Sequence, residues 1–416
     1  MMTWLKLAVR NLFRNRRRSL FTILAIALGF AAVNVLGGFT DYIFSNLENS
    51  YIHVQANGHL TIFKPGFLKE GKLDPTRYLL DEESTKTIEE ILHHYPEVLV
   101  VTPQLHISGL LSNGKVSTIF LASGRIPSDI RTINSHSRGL ASKFQQFTGR
   151  PLEDDVVYGV GLSRGLAEQL NLDIGATGVA MAPTVSGQVN ALDAQVFQLF
   201  SAPIEALDDK LMLVPLKFAQ SLYDTSSVDR LIVLLENTTQ TEPIRKRMAQ
   251  DFNARGLNLE IKTWNELSTF YVKVKQMFDI IFLFTFLIVF TIVVMSVINT
   301  VSMAIMERTR EIGTLRALGL KRGGIVVLFA AESLMLGLFG SALGVVLTLL
   351  TWSGIALFKP TWVPPMITGR VPLEIYLVPE YMAFSVILLG VLSLMAATLP
   401  VRKAARMEIV TALGHT

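Results

Sequence analysis

The sequence predicts a membrane protein with four transmembrane helices and a large α+β domain between the first and the second. Half of the 416 residues are hydrophobic, and the apolar residues are concentrated in four runs rather than spread along the chain. A bilayer crossing takes about 20 residues at a rise of 1.5 Å per residue. The runs that meet this requirement are residues 20–39, 277–303, 325–350 and 382–401.

The orientation follows from the basic residues beside these runs, because Lys and Arg are retained on the cytosolic side. We expect residues 1–19, 304–324 and 402–416 to be cytosolic, both termini included, and 40–276 and 351–381 to face outward. The basic residues lie in three clusters: Lys6, Arg10, Arg14, Arg16, Arg17 and Arg18; Arg308, Arg310, Arg316, Lys321 and Arg322; and Arg402, Lys403 and Arg406.

The net charge of +4 does not indicate a nucleic-acid-binding protein. Residues 40–276 hold 22 Lys and Arg against 27 Asp and Glu, so the basic excess belongs to the segments beside the membrane. The chain contains no Cys, which excludes disulfides and thiol catalysis. The histidines show no metal-ligand spacing with carboxylates, and we expect no metal site.

The outward segment 40–276 is predicted to be an α+β domain. Alternating β-branched residues predict strands, and a cluster of acids at its start predicts a helix over 81–95. A turn at 112–115 predicts a hairpin, and 135–149 is expected to be a loop. The other predicted strands are 51–63, 98–122, 156–161, 211–216, 231–235 and 257–263, and the other helices are 162–170 and 240–256.

The most informative segment is Glu307–Gly319, which lies between the second and third spans. Ile312, Leu315 and Leu318 recur at helical spacing among charged residues, so a short helix here would offer an apolar edge in a charged frame. We interpret it as a plug for a groove on another protein. The candidate residues of this plug are Glu307, Arg308, Arg310, Glu311, Ile312, Gly313, Leu315, Arg316 and Leu318.

With these features the chain resembles the FtsX-like permeases, which include the macrolide-exporter and lipoprotein-releasing permeases of bacterial ABC systems. The segment Glu307–Gly319 carries most of the resemblance, and the order of one span, a large domain and three spans supports it. We call it the coupling segment, because the resemblance implies that an ATPase docks there. Ala176 and Ile409 depart from residues that the family often has at those positions. Supporting motifs are Glu332 with Gly337, Gly340 and Gly344, the stretch 162–175, and the tail 400–406.

The resemblance implies a multi-pass permease of the bacterial inner membrane with a periplasmic α+β domain, working as a homodimer or paralogous heterodimer. A separate ABC ATPase would bind ATP and Mg on the cytosolic side, because this sequence has no phosphate-binding Gly-x-x-x-x-Gly-Lys-Ser/Thr loop. Membrane lipids and a periplasmic adaptor or lipoprotein are further expected partners, and nucleic acid is not. We expect no cofactor and no catalysis on this chain.

A Gly-x-Ser-x-Gly sequence at Gly161–Gly165 matches the nucleophile elbow of hydrolases. A catalytic histidine would have to follow Ser163, and His415 lies beyond the last span. The motif is therefore interpreted as a tight turn. The amphipathic pattern of residues 4–18 predicts a helix along the inner membrane surface.

Two sets of intramembrane residues leave alternatives open. Glu332 lies within the third span, where a carboxylate is costly; it either bonds a polar neighbour such as Asn299 or Thr300, or acts in transport. Gly340 and Gly344 permit close helix approach, within the chain or between two permeases.

Four phenylalanines at four-residue spacing share one broad face of the second span. They are either packing or lipid-exposed residues, or an apolar wall for acyl chains, a reading that the resemblance to lipoprotein releasers favours. The four are Phe278, Phe282, Phe286 and Phe290.

Three functions compete. The first is an ATP-driven permease that moves or extracts a lipid-anchored or hydrophobic substrate in the manner of lipoprotein release. The second is drug or peptide efflux by mechanotransmission, and the third is a scaffold that activates a periplasmic hydrolase. The large outward domain favours the first two functions. The cell-division members of the family, which activate a periplasmic hydrolase, have a smaller outward domain.

Overall fold

The chain forms two compact units in the computed structural model. The helical unit comprises Met1–Ile43, Val274–Pro360 and Pro372–Thr416, and the α+β unit comprises Phe44–Lys273 and Thr361–Val371. The structure describes residues 10–11, 16–71, 73–138, 147–202, 205–362 and 370–406. Most of the predicted amphipathic segment, residues 1–9 and 12–15, lies outside the described residues.

Four long helices account for the apolar runs of the sequence. They are α1 (Arg16–Asn49), α10 (Thr269–Glu307), α12 (Arg322–Phe358) and α13 (Pro379–Ala405). Their most apolar windows have mean hydropathies of 2.2, 3.0, 2.1 and 2.3, and each helix is long enough to cross a membrane. All four run past the ends of the predicted spans. The expected composition of four spanning helices and an α+β domain is therefore confirmed.

Among the described residues, the other α-helices of four residues or more are short, and all except α11 lie between α1 and α10 in the sequence. They are α2 (Phe67–Glu70), α3 (Pro75–Tyr78), α4 (Glu82–Leu92), α5 (Pro127–Ser135), α6 (Arg164–Leu170), α7 (Leu216–Tyr223), α8 (Thr241–Ala254), α9 (Trp264–Leu267) and α11 (Thr309–Ala317).

A mixed sheet of ten strands forms the centre of the α+β unit, in the order β10-β1-β9-β2-β3-β8-β5-β7-β4, with β6 pairing with β2 and β7. The pairs β3–β8 and β5–β7 are parallel. The strands are β1 (Leu60–Phe63), β2 (Val98–Ser112), β3 (Ser117–Arg125), β4 (Phe147–Gly149), β5 (Gly159–Ser163), β6 (Thr177–Pro183), β7 (Val189–Phe200), β8 (Leu211–Pro215), β9 (Arg230–Leu235) and β10 (Glu260–Thr263). Two short strands, β11 (Thr361–Trp362) and β12 (Val371–Pro372), complete the set.

Helix α7 covers one face of the sheet. Phe120 and Ala122 of β3 point into the main core, and a Cβ on Gly124 would lie 2.3 Å from the Cβ of Ala219 in α7. Because side chains alternate along a strand, Leu121 and Ser123 point to the other face. That second face lines the cavity described below.

Two predictions for this unit are corrected. Residues 51–63 were expected to form one strand, but α1 continues as a π-helical turn over Ser50–Val54 and only Leu60–Phe63 is strand. Ile52 is buried in a small cluster with Trp264 and Leu234, and this burial outweighs the preference of β-branched residues for strands. Residues 147–149, expected to be loop, pair with β7 as β4.

Candidate functional site

The segment between α10 and α12 folds as a separate short helix, α11. Arg308 interrupts the helical path with φ −112° and ψ 14°, and α11 begins at Thr309. After α11, Gly319 has φ +97°, which glycine adopts without the steric cost of a Cβ. Lys321 then stands at the N-cap position of α12, without a side-chain capping bond. The predicted coupling segment is therefore a helix with a sharp boundary on each side.

The three apolar residues of the segment do not share one exposed edge. Ile312 is 7% exposed and belongs to the core of the helical unit, together with Phe329 and Ile305. Leu315 is 40% exposed and Leu318 is 80% exposed. The surface that α11 offers is therefore Leu315 with Leu318, and Ile312 fastens the helix to its own chain.

The charged residues of the segment also differ in how exposed they are. Arg310 and Glu311 are exposed, and Arg316 is half-buried. Gly313 is buried beside Ile312, on the side of α11 that packs against the chain. Exposed charges around Leu315 and Leu318 match the charged frame that the sequence predicted.

Glu332 is tied to the start of this segment. It is 6% exposed, and its Oε1 accepts hydrogen bonds from Arg308 Nη1 at 2.9 Å and from Asn11 Nδ2 at 2.5 Å. Arg308 Nε also donates to Glu311 at 3.0 Å. Burial alone would lower the pKa of Arg308, but the attraction and hydrogen bonds of Glu332 and Glu311 together outweigh it and raise that pKa.

These contacts correct the partners expected for Glu332. Thr300 bonds the hydroxyl of Thr22 in α1, and Asn299 is exposed on α10. Asn11 and Thr22 could not be found from the sequence, because neither belongs to a motif. Arg18 was assigned only to the basic cluster before the first span, yet it pairs with Glu307. Polar side chains thus join α1, α10 and α12 next to the α11 segment.

The glycines of α12 make close contacts within the chain. A Cβ on Gly340 would lie 2.5 Å from Ile26, and one on Gly344 would lie 2.6 Å from Phe30, both in α1. A Cβ on Gly337 would lie 2.9 Å from Ser393 in α13. Since real Cβ contacts are longer, the glycines set how closely α12 approaches α1 and α13.

The phenylalanine stripe of α10 is half-covered. The ring centroids of Phe278 and Phe39 are 6.4 Å apart, and those of Phe286 and Phe290 are 6.2 Å apart. Phe282 is 37% exposed. Phe290 packs at the edge of the helical core, whereas none of the four is fully buried.

Ser163 is not arranged for catalysis. It is buried at the junction of β5 and α6, and its Oγ donates to the carbonyl oxygen of Leu211 at 2.9 Å. A nucleophilic serine needs a base on its hydroxyl. The Gly-x-Ser-x-Gly sequence serves here as a strand-to-helix turn.

Comparisons with known proteins identify the family of this chain. Residues 19–251 match the model of the MacB-like periplasmic core domain, and residues 282–409 match the FtsX-like permease C-terminal model. A lipoprotein-releasing system transmembrane protein, LolC of Neisseria meningitidis, is 23% identical over 95% of this chain and 94% of its own length.

A macrolide export ATP-binding/permease protein, MacB of Salmonella paratyphi A, is 23% identical over the whole of this chain, which spans 60% of that protein. Among solved structures, the periplasmic region of MacB from Actinobacillus actinomycetemcomitans aligns with 53% of this chain and 92% of its own, with 14% identity and a TM-score of 0.36. From the two family models, which together cover most of its length, the chain belongs to the FtsX-like ABC transporter permeases that carry a MacB-like periplasmic core domain.

Proposed function

We propose that this chain is the permease subunit of an ABC transporter in a bacterial inner membrane, driven by ATP hydrolysis on a separate subunit. The α+β unit faces the periplasm and both termini are cytosolic. The transporter moves or extracts a lipid-anchored or hydrophobic substrate on the outer side of the membrane. The full-length similarity to a lipoprotein-releasing transmembrane protein supports this substrate class.

The observation that carries the proposal is the construction of α11. Its exposed side presents Leu315, followed by Leu318, among solvated charges, while Ile312 packs its buried side against the helical core. At its first turn, Arg308 bonds Glu332 of α12. A force applied to α11 by a docked ATPase would therefore reach a spanning helix through a buried ion pair.

The test is co-purification of the ATPase with a variant that carries Leu315→Asp and Leu318→Asp. Each buried apolar anchor is worth roughly 1.5–3 kcal/mol, and an added acid in an apolar groove increases the loss. We expect the ATPase to be lost while the permease remains folded. Ala317→Asp is the matched control, because it places an acid at another exposed position of α11.

Retention of the ATPase by the double variant would contradict the coupling role of α11. Loss of the ATPase with Ala317→Asp alone would show that any added acid on α11 disrupts the complex.

Drug or peptide efflux remains the second candidate, because the macrolide export protein matches this chain at the same 23% identity. The two candidates differ in what the complex holds. Mass spectrometry of the complex in nanodiscs should detect a lipoprotein or lipid substrate if extraction is correct, and none if the complex drives efflux of a soluble compound.

A further inference from the structure

The second face of the sheet in the α+β unit borders a cavity of about 770 Å³. Its walls come from β3, β7 and β8, from α5, and from the residues that follow the π-helical turn. This volume is within the range of small-molecule sites, about 300–1,000 Å³. The cavity lies entirely within the α+β unit.

Apolar side chains make up much of the wall. Leu121 is 40% exposed and Phe147 is 43% exposed, and both line the cavity with Leu211, Leu213 and Phe200. They lie on the face of the sheet opposite the main core, where alternation places polar residues when that face meets only water. An apolar lining on this face favours an apolar ligand.

One guanidinium is held at the same cavity by the residues around it. Arg125 Nε donates to Ser123 Oγ at 2.8 Å, and Arg125 Nη1 donates to the carbonyl oxygen of Gln55 at 2.5 Å. No Asp or Glu oxygen lies within 4 Å of this guanidinium among the residues that the structure describes. These two bonds hold the side chain through Nε and Nη1 and do not involve Nη2.

The charges around Arg125 do not balance. The acid that attracts Arg125, Asp229, is already bonded by Arg230 at 3.0 Å and by His106 at 2.8 Å. Burial alone would raise the pKa of Asp229, but His106 and Arg230 outweigh it and hold that pKa well below its usual range. Of the two guanidinium groups, only that of Arg230 contacts this carboxylate. Burial, followed by repulsion from Arg230, lowers the pKa of Arg125 to about 10. Arg125 is half-buried, and a positive charge that is partly removed from water without a contacting acid is unfavourable until an anion neutralises it.

A neutral polar group is also unmatched at the cavity. The buried Oδ1 of Asn134 in α5 has no hydrogen-bond partner in the described part of the chain. Buried amide oxygens are normally bonded, so a ligand with a hydrogen-bond donor would complete this site.

From the apolar walls, the fixed guanidinium and the unbalanced charge, we infer that this cavity binds a small amphipathic carboxylate, with its head at Arg125 and its apolar body along Leu121, Leu213 and Phe147. This site is separate from the coupling segment, and the inference does not rest on the proposed transport function.

The test uses the full chain in nanodiscs and a decanoic acid that carries a photoreactive diazirine, added in buffer below the concentration at which it aggregates. The matching methyl ester and the matching amine are the chemical controls. We expect the acid to label peptides of β3, β8 or α5 at saturable concentration. The ester and the amine should bind at least about tenfold more weakly, because a charge-assisted hydrogen bond is absent.

Arg125→Gln should weaken capture of the acid by about tenfold, and Arg125→Lys by less. Arg247→Gln is the matched control, since Arg247 is an exposed arginine of the same unit that does not line the cavity, and should change nothing. Leu213→Trp keeps Arg125 and fills the cavity, so it should block capture even if the Arg125 variants fail to fold.

Equal capture of acid and ester would overturn the inference. The same holds for unchanged capture by folded Arg125→Gln or by Leu213→Trp, and for adducts confined to α1, α10, α12 and α13.

Discussion

The guanidinium of Arg308 lies 2.9 Å from the carboxylate of Glu332, and the side chains are 14% and 7% exposed. Arg308 stands at the boundary between α10 and α11, and Glu332 lies in α12. The ion pair therefore joins the base of the coupling segment to the next spanning helix. Under the proposed coupling role, movement of α11 would reach α12 through this ion pair and through Ile312, which lies in the same core cluster as Phe329 of α12.

Replacing Glu332 by Gln should lower the stability of the helical unit, because it leaves Arg308 with only the exposed Glu311 as a counter-charge. Breaking one side of a buried pair typically costs about 3–5 kcal/mol. Glu311→Gln is the control, since its side chain is 46% exposed and an exposed pair contributes about 0–1 kcal/mol. Thermal unfolding in nanodiscs measures both.

The double variant Arg308→Gln with Glu332→Gln should recover part of the loss, since neither charge is then unpaired. If the loss of stability in the double variant equals the sum of the losses in Glu332→Gln and Arg308→Gln, then Arg308 and Glu332 are not coupled.

Glycine substitutions in α12 provide a second test of helix packing. Gly344→Ala should destabilise by about 1–3 kcal/mol, because its Cβ would lie 2.6 Å from Phe30 and either residue must shift. Gly354→Ala is the matched control in the same helix, where no atom lies within 4 Å of the added Cβ. It should be neutral or stabilise by up to about 1 kcal/mol through helix propensity.

Thermal unfolding of the two variants, with chemical crosslinking to record oligomeric state, separates packing from association. Loss of a dimer by Gly344→Ala at unchanged melting temperature would assign Gly344 to contact between permeases instead.

The acid sensitivity of the α+β unit should depend on His59. This side chain is 2% exposed; its Nδ1 accepts from the backbone N–H of Leu235 at 3.0 Å, and its Nε2 lies 3.1 Å from Thr238 Oγ1. Nδ1 therefore carries no proton. Burial, with a smaller contribution from His53, lowers the pKa of His59 to about 3.

Because the folded pKa of His59 is below the unfolded value of about 6.5, the unfolded state binds more protons between these pH values. The stabilisation is complete above pH 6.5 and is lost as the pH falls toward 3, at up to about 1.4 kcal/mol per pH unit. Hydrogen exchange of the amides in β1 and β9 should accelerate accordingly. His59→Gln should flatten this dependence, and His93→Gln, at an exposed position, should not.

Local patterns were sufficient to predict the long elements of this fold. Hydropathy identified the four spanning helices, and period-two alternation with a turn identified the β2–β3 hairpin. The β6–β7 hairpin was not predicted, because its Ala, Gly and Asn residues have weak strand preference and its pairing with β2 is what stabilises it.

The candidate site was predictable in position but not in contacts. Helical spacing placed Ile312, Leu315 and Leu318 on one segment, yet only packing decides that Ile312 is buried. Asn11 and Glu332 are 321 positions apart in the sequence, and no local pattern joins residues at that distance. The same limit applies to Arg125, whose unbalanced charge arises from the pairing of β2 with β9 and β3.

The phenylalanine stripe of α10 provides the test that separates extraction from efflux. Phe282 is 37% exposed and Phe286 is partly covered, so replacing either by Ala should cost less than the 3–5 kcal/mol typical of a core aromatic.

A photoreactive residue at position 282 or 286 should capture a lipoprotein or lipid substrate in the resting complex if the stripe is an acyl-chain wall. Position 284 is the matched control, because Phe284 is 63% exposed and its side chain leaves α10 about 200° around the helix axis from Phe282. Substrate adducts from 282 and 286 with only bulk phospholipid at 284 would support extraction. Bulk phospholipid at all three positions, or adducts only to a neighbouring permease, would leave the stripe as a lipid-facing or packing surface and contradict the acyl-chain assignment.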